Sequence, residues 1–290
     1  MRVYLNGERI EPQRAALPVM DAGLQHAVGL FETMTLRGGR VVRLEQHVDR
    51  LRRSAEALGL SGVPRAGELS DAVIAAVADE PSPEARVRLT VTPGSVSLLR
   101  GAEPGAERPT VLVVVSEPLR YEEAYFTQGV TVSIAGALAN PFDPLAGHKT
   151  LAYWGRLRTL REAAKLRCAE ALWLTTHNHL AGGAVSNLFL VRDGRLLTPT
   201  ARGEEAPGAI PAPVLPGVTR AALLQWAADR GVEARRGTLA IDELLDADEV
   251  FLTNSGWGVL PVVRVEKREI GDGKVGPITR AAMAFVREGA

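Results

Sequence analysis

Apolar positions recur along this chain in two rhythms, and the changes of rhythm mark its elements. Residues 3–5 and 9–10 flank Asn6-Gly7, a pair that supplies the two positive φ values of a tight type I′ hairpin. Residues 30–36 read as a strand turning at Gly38-Gly39 into Val41-Val42. Leu44, Val48, Leu51, Ala55 and Leu58 then fall at helical spacing and stop at Gly59, which predicts an amphipathic helix with glycine past its end. A second helix is predicted over 67–78, with strands over 87–92 and 111–116. These elements predict an α+β first domain over residues 1–116.

Residues 117–128 lack a period and are expected to link this domain to a second one, residues 129–290. There a strand is predicted from 130 to 134, a helix from about 151 to 166, and strands over 171–175 and 187–191. Asp193-Gly194 turns the chain into 195–197. Glycine and proline punctuate 203–216 as a surface loop. A helix is predicted over 219–230 and strands over 249–253 and 259–265, and Pro277 opens a last helix where proline is tolerated.

Composition narrows the function classes. Thirty-four basic and thirty-four acidic side chains cancel, which removes the electrostatic case for nucleic acid or an anionic membrane. The expected ligand is small. Residues 1–7 read as a strand entering a turn and lack a signal peptide's apolar stretch, so the protein is expected in the cytoplasm. Cys168 is the only cysteine, is expected to be a buried structural thiol, and belongs to no metal-spacing motif.

Four segments could carry chemistry. Gly147-His148-Lys149-Thr150-Leu151 places a lysine ahead of a helix. His47-Val48-Asp49-Arg50-Leu51 sets His47 and Arg50 three apart on one side of the amphipathic helix, either as a guanidinium aimed at a phosphate or, with Arg52 and Arg53, as a solvated basic face. Leu215-Pro216-Gly217-Val218-Thr219-Arg220 runs into a helix whose first amides could bind an anion, although Thr219 could equally be a simple cap. Thr253-Asn254-Ser255-Gly256 leaves a strand in a polar turn, a second possible phosphate nest or an ordinary turn.

In combination and order these segments resemble the class IV, or fold type IV, pyridoxal-phosphate enzymes: branched-chain aminotransferases, D-amino-acid aminotransferases and aminodeoxychorismate lyases. The segment Asp21 to Glu32 also resembles the family, departing from it at Ala22, Ala27 and Val28. The resemblance implies a two-domain α+β protein, with a smaller α/β sandwich N-terminal domain and a larger cofactor-binding C-terminal domain with a barrel-like sheet. It implies that Lys149 holds pyridoxal 5'-phosphate and that Tyr153 lies near the cofactor's phenolic oxygen. Arg50, Val218, Thr219, Asn254 and Ser255 would serve the phosphate, and Leu215 the ring face. Phe31 and Gly256 would border the substrate, and no metal is implied.

The implied activity is transfer of an amino group between an amino acid, of L and branched-chain type, and a 2-oxo acid, by a homodimer. Aminodeoxychorismate cleavage is the alternative, and a cofactor-binding protein with weakened catalysis is another. Val91-Thr92 is followed by Pro93, where the D-specific branch carries its carboxylate-gripping arginine. The main departure is Gly182, at the position of the glutamate that pairs with the pyridine nitrogen; His177 and His179 lie close by in sequence.

Overall fold

The computed structural model describes residues 1–78, 80–95 and 108–288, and the chain divides into two compact units. The first comprises Met1–Leu119 with His148–Ala152, and the second Arg120–Gly147 with Tyr153–Ala290.

In the first unit the strands are β1 (Arg2–Leu5), β2 (Glu8–Ile10), β3 (Leu30–Arg37), β4 (Arg40–Val41), β5 (Glu84–Thr92) and β6 (Thr110–Ser116). They form one antiparallel sheet ordered β2-β1-β6-β5-β3-β4. Asn6 and Gly7 both have positive φ, at 52° and 87°, as the hairpin requires. The short helix α1 (Ala22–His26) starts at Asp21, whose carboxylate accepts from the Gly23 amide at 2.7 Å and from Thr92 and Thr110 hydroxyls at 2.8 and 2.7 Å. Helices α2 (Leu44–Ala57) and α3 (Ala66–Val77) cover one face of the sheet. Alternation along the strands sends Leu30, Met34 and Leu36 of β3 and Val87, Leu89 and Val91 of β5 into that core with Val48, Leu51, Leu69 and Val73.

The second unit contains α4 (Glu123–Thr127), β7 (Val130–Ala139), α5 (Trp154–Lys165), β8 (Glu170–Thr175), β9 (Leu180–Gly183), β10 (Asn187–Arg192) and β11 (Arg195–Pro199). It continues with α6 (Val218–Asp229), β12 (Ala234–Gly237), α7 (Ile241–Leu245), β13 (Glu249–Asn254), β14 (Gly258–Val265), β15 (Arg268–Glu269) and α8 (Pro277–Glu288). Its mixed sheet runs β12-β11-β10-β13-β14-β7-β8-β9, with β15 on β14. Strand β9 packs back toward β11, so the sheet curls around a core shared by Leu172, Leu180, Leu188, Leu190, Leu252 and Leu260. The opposite faces of β10 and β13 send Phe189 and Phe251 outward against Leu223 and Trp226 of α6 and Ala282 of α8.

Two expectations change. Residues 117–128 are not a plain linker, because α4 lies within them and its Tyr125 and Phe126 pack on the second unit's core. The helix expected from about 151 begins at Trp154, because 148–152 is extended along β3 and groups with the first unit. Lys149 therefore groups with the first unit rather than with 129–290. Cys168 is buried beside Ala163, just past the end of α5.

Candidate functional site

Lys149 is held by strand pairing. The Phe31 amide donates to its carbonyl at 3.0 Å, and the Leu151 amide donates to Gly29 O at 3.0 Å. Its ammonium nitrogen stands 4.3 Å from the centroid of the buried Phe31 ring, and the Arg88 guanidinium stands 3.8 Å from that centroid. Arg88 did not stand out in the sequence, since a charged residue in a strand normally marks only the solvent face.

On the other face of β3, Glu32 occupies a position in the core row of Leu30 and Met34. Arg50 donates to it from Nε at 2.8 Å and again from Nη2, and His47 Nδ1 lies 2.7 Å away. Burial pushes the Glu32 carboxyl up, and the Arg50 charge with the His47 hydrogen bond outweighs that, bringing its pKa to about 2. Burial moves the His47 ring below its ordinary value despite the pull of Glu32, so the ring is neutral near neutral pH and Nδ1–H is the donor. The solvated-face reading is therefore excluded for His47 and Arg50, both buried; Arg53 keeps it.

In the second unit, Gly217 and not Thr219 caps α6, and the first turn carries no acidic residue. The amides of Val218 and Thr219 lie in that turn, where helix geometry provides no intrahelical acceptor. Asn187 Nδ2 donates to Leu215 O at 2.8 Å, and a Cβ at Gly217 would overlap the Asn187 carboxamide oxygen. Glycine alone lets that loop close on β10. Across the ladder from Asn187, the buried Thr253 hydroxyl has no hydrogen-bond partner among the described residues. The start of α6, with amides that lack intrahelical acceptors and no acidic side chain in its first turn, has the donor chemistry that a phosphate group requires.

Two members of these motifs also make contacts within the fold. Asn254 Oδ1 accepts from the Gly256 and Trp257 amides at 2.8 and 3.0 Å, so its side chain closes its own turn. Arg220 is fully buried and forks onto Glu204 with two 2.8 Å bonds, which hold that carboxyl below its ordinary value against the opposing effect of burial.

Around Gly182 the β8–β9 ladder is irregular. Trp173 pairs with Gly182 and Leu174 with Leu180, so Ala181 is an extra, bulged residue. Gly182 has φ +100°, and a Cβ there would meet Ser186 O at 2.9 Å. A glutamate at this position would strain the backbone whatever the space beyond it. Both histidines lie at the β8–β9 turn: His177 is exposed, and the His179 amide donates to the Thr175 hydroxyl at 3.2 Å.

Sequence reasoning also passed over Glu170 and Arg156. Glu170 is fully buried and accepts from the Ala171, Ala184 and Val185 amides at 2.9, 3.1 and 3.1 Å and from the Ser186 hydroxyl at 3.0 Å. Burial raises this carboxyl, and those hydrogen bonds offset the rise only in part. Arg156 Nη1 donates to Gly183 O and Ala184 O at 3.1 and 3.3 Å, and Tyr153 Oη donates to the same Ala184 O at 3.3 Å. Among the described residues no group of three His, Cys, Asp or Glu could hold a metal ion, and no helix is long and apolar enough to cross a membrane.

Comparison with known proteins gives these features a common setting. The profile of amino-transferase class IV matches residues 29–265. The branched-chain-amino-acid aminotransferase of Salmonella typhimurium is 27% identical over 285 residues, covering 96% of this chain and 89% of that protein. The structure of 4-amino-4-deoxychorismate lyase from Pseudomonas aeruginosa superposes with a TM-score of 0.85 at 30% identity, over 99% of this chain and 98% of that one. The branched-chain amino acid aminotransferase of Escherichia coli superposes at 0.88 with 24% identity, over 99% and 93% of the two chains, a likeness of fold. With its profile match spanning most of the chain and this fold throughout, the protein belongs to the class IV aminotransferases, the fold type IV family of pyridoxal-phosphate-dependent enzymes.

Proposed function

We propose that this protein transfers an amino group between an L-amino acid of branched-chain type and a 2-oxo acid, with Lys149 holding pyridoxal 5'-phosphate. The observation that carries the reading is Lys149, fixed by strand pairing with its amine against the Phe31 ring in a class IV chain. The cofactor, when bound, supplies an electron-withdrawing ring that acidifies the substrate's α C–H bond. Lys149 is the base that takes the α proton and the acid that returns it. Tyr153 lies beside the phenolic oxygen. The Val218 and Thr219 amides and Ser255 hold the phosphate, with Leu215 on the ring face. Arg50 serves the phosphate with them. Phe31 and Gly256 border the substrate. Asn254, whose side chain closes its own turn, serves the phosphate with Ser255.

The test is borohydride reduction of the protein loaded with pyridoxal phosphate, followed by peptide mapping. The label is expected on Lys149, and recovery on another lysine, or no visible absorption after loading, overturns the reading. Single-turnover assays with amino acids of both hands then fix the donor; amino transfer to 2-oxoglutarate from L-branched-chain donors is expected.

A second reading is aminodeoxychorismate cleavage, favoured by the 30% identity to the Pseudomonas aeruginosa lyase over 98% of that chain. Formation of pyruvate and 4-aminobenzoate from aminodeoxychorismate would establish it. The reading also includes a homodimer in the cytoplasm, and an active monomer in sedimentation at assay concentration would contradict the dimer.

A further inference from the structure

The class IV resemblance puts a carboxylate at position 182, facing the cofactor's ring nitrogen, and this chain does not provide one. The bulge at Ala181 and the positive φ of Gly182 show that the ribbon is built for glycine, with the Ser186 carbonyl standing where a side chain would begin. Glu170, the buried acid bonded to this ribbon, does not take over. Glu170 is sealed from solvent with both oxygens engaged by three amides and one hydroxyl. What stands against this ribbon is a cation. Arg156, in the first turn of α5, reaches the carbonyls of Gly183 and Ala184 and shares the second with the Tyr153 hydroxyl. The Trp173 ring lies 5.0 Å from its guanidinium carbon. Among the described residues Arg156 has no carboxylate partner, and two carbonyls use only one of its terminal nitrogens.

We infer that Arg156 takes the place of the missing carboxylate and presents an N–H donor to the pyridine nitrogen, so that the bound cofactor keeps that nitrogen unprotonated. An arginine does not give up its proton in a protein, so it can donate to the ring lone pair but cannot share a proton with it as a carboxylic acid does. Its charge also disfavours a second positive charge on the ring. The inference rests on the reading that this chain binds pyridoxal phosphate.

The decisive measurement is the ¹⁵N chemical shift of ring-labelled pyridoxal phosphate bound to the whole protein, followed through the neutral pH range. The parent should show the shift of an unprotonated pyridine throughout. Arg156→Lys should preserve it, whereas Arg156→Gln should let the nitrogen titrate and Arg156→Glu should move it toward the protonated form. A protonated nitrogen in the parent overturns the inference while leaving cofactor binding intact. So does an unprotonated nitrogen that stays unchanged in Arg156→Gln and Arg156→Glu. A protein that takes up no pyridoxal phosphate overturns both this inference and the reading beneath it. A merely structural role for Arg156 would alter the melting temperature of the variants without moving the ring-nitrogen signal.

Discussion

Glu32 in the first unit and Glu170 in the second are both withdrawn from water, at 1% and 0% exposure, yet they are stabilised in different ways. Glu32 faces a full positive charge on Arg50 and a neutral His47, and its carboxyl sits at about 2. Among the described residues Glu170 forms no ion pair; amide and hydroxyl dipoles bind it, and its carboxyl is raised. The contrast teaches that burial costs both groups the same kind of solvation, and that one close countercharge reverses the shift where four dipoles do not. It also separates their tasks. The first carboxylate orients an arginine of the proposed phosphate site, while the second fixes the turn that presents the Gly183 and Ala184 carbonyls.

The largest effect is expected from removing one partner of the charged pair. Arg50→Ala leaves Glu32 buried against a neutral histidine, and should cost about 3–5 kcal/mol of stability in denaturant titration. Stability close to the parent's would mean that Glu32 reaches water or another cation. Glu170→Gln should cost less, about 1–3 kcal/mol, because the amide's N–H₂ opposes donors that the carboxylate satisfied while the burial of a charge is relieved. A larger loss than that of Arg50→Ala would break the comparison.

The smallest effect, taken per pH unit, is the pH dependence, which should have opposite signs at the two sites. Glu32, with a lowered carboxyl, contributes stability that is present above its unfolded pKa and is lost as pH falls toward about 2. Glu170, with a raised carboxyl, contributes stability that is full below its unfolded pKa and is lost as pH rises through the folded value. Each contributes at most about 1.4 kcal/mol per pH unit. Stability profiles of Glu32→Gln and Glu170→Gln against the parent should flatten the acid limb and the rising-pH limb respectively, and identical profiles would show that neither group titrates as placed.

Most of the elements were legible in the chain because local rules set them. The Asn6-Gly7 turn, the amphipathic spacing of α2 and the proline at the start of α8 each act within a few residues, and each lies where the pattern predicted. Strand β9 and helices α1 and α7 were missed: they are short, and their apolar residues have no period of their own. The candidate site was legible in part. His47 and Arg50 were visible as a pair, but their burial was not, because helical spacing gives the face of a residue and not what covers it.

The order of elements, the family motifs and the glycine at position 182 are all readable from local pattern. Only the folded chain shows that Glu32 meets Arg50, that Lys149 lies along β3 beside Phe31 and Arg88, and that Asn187 closes on Leu215. These contacts join residues far apart in the chain, and their partners are selected by sheet register and packing, which no local pattern encodes. The same holds for position 182: the sequence gives a glycine, whereas the bulge, the positive φ and the contact of Arg156 with the neighbouring carbonyl are set by the fold.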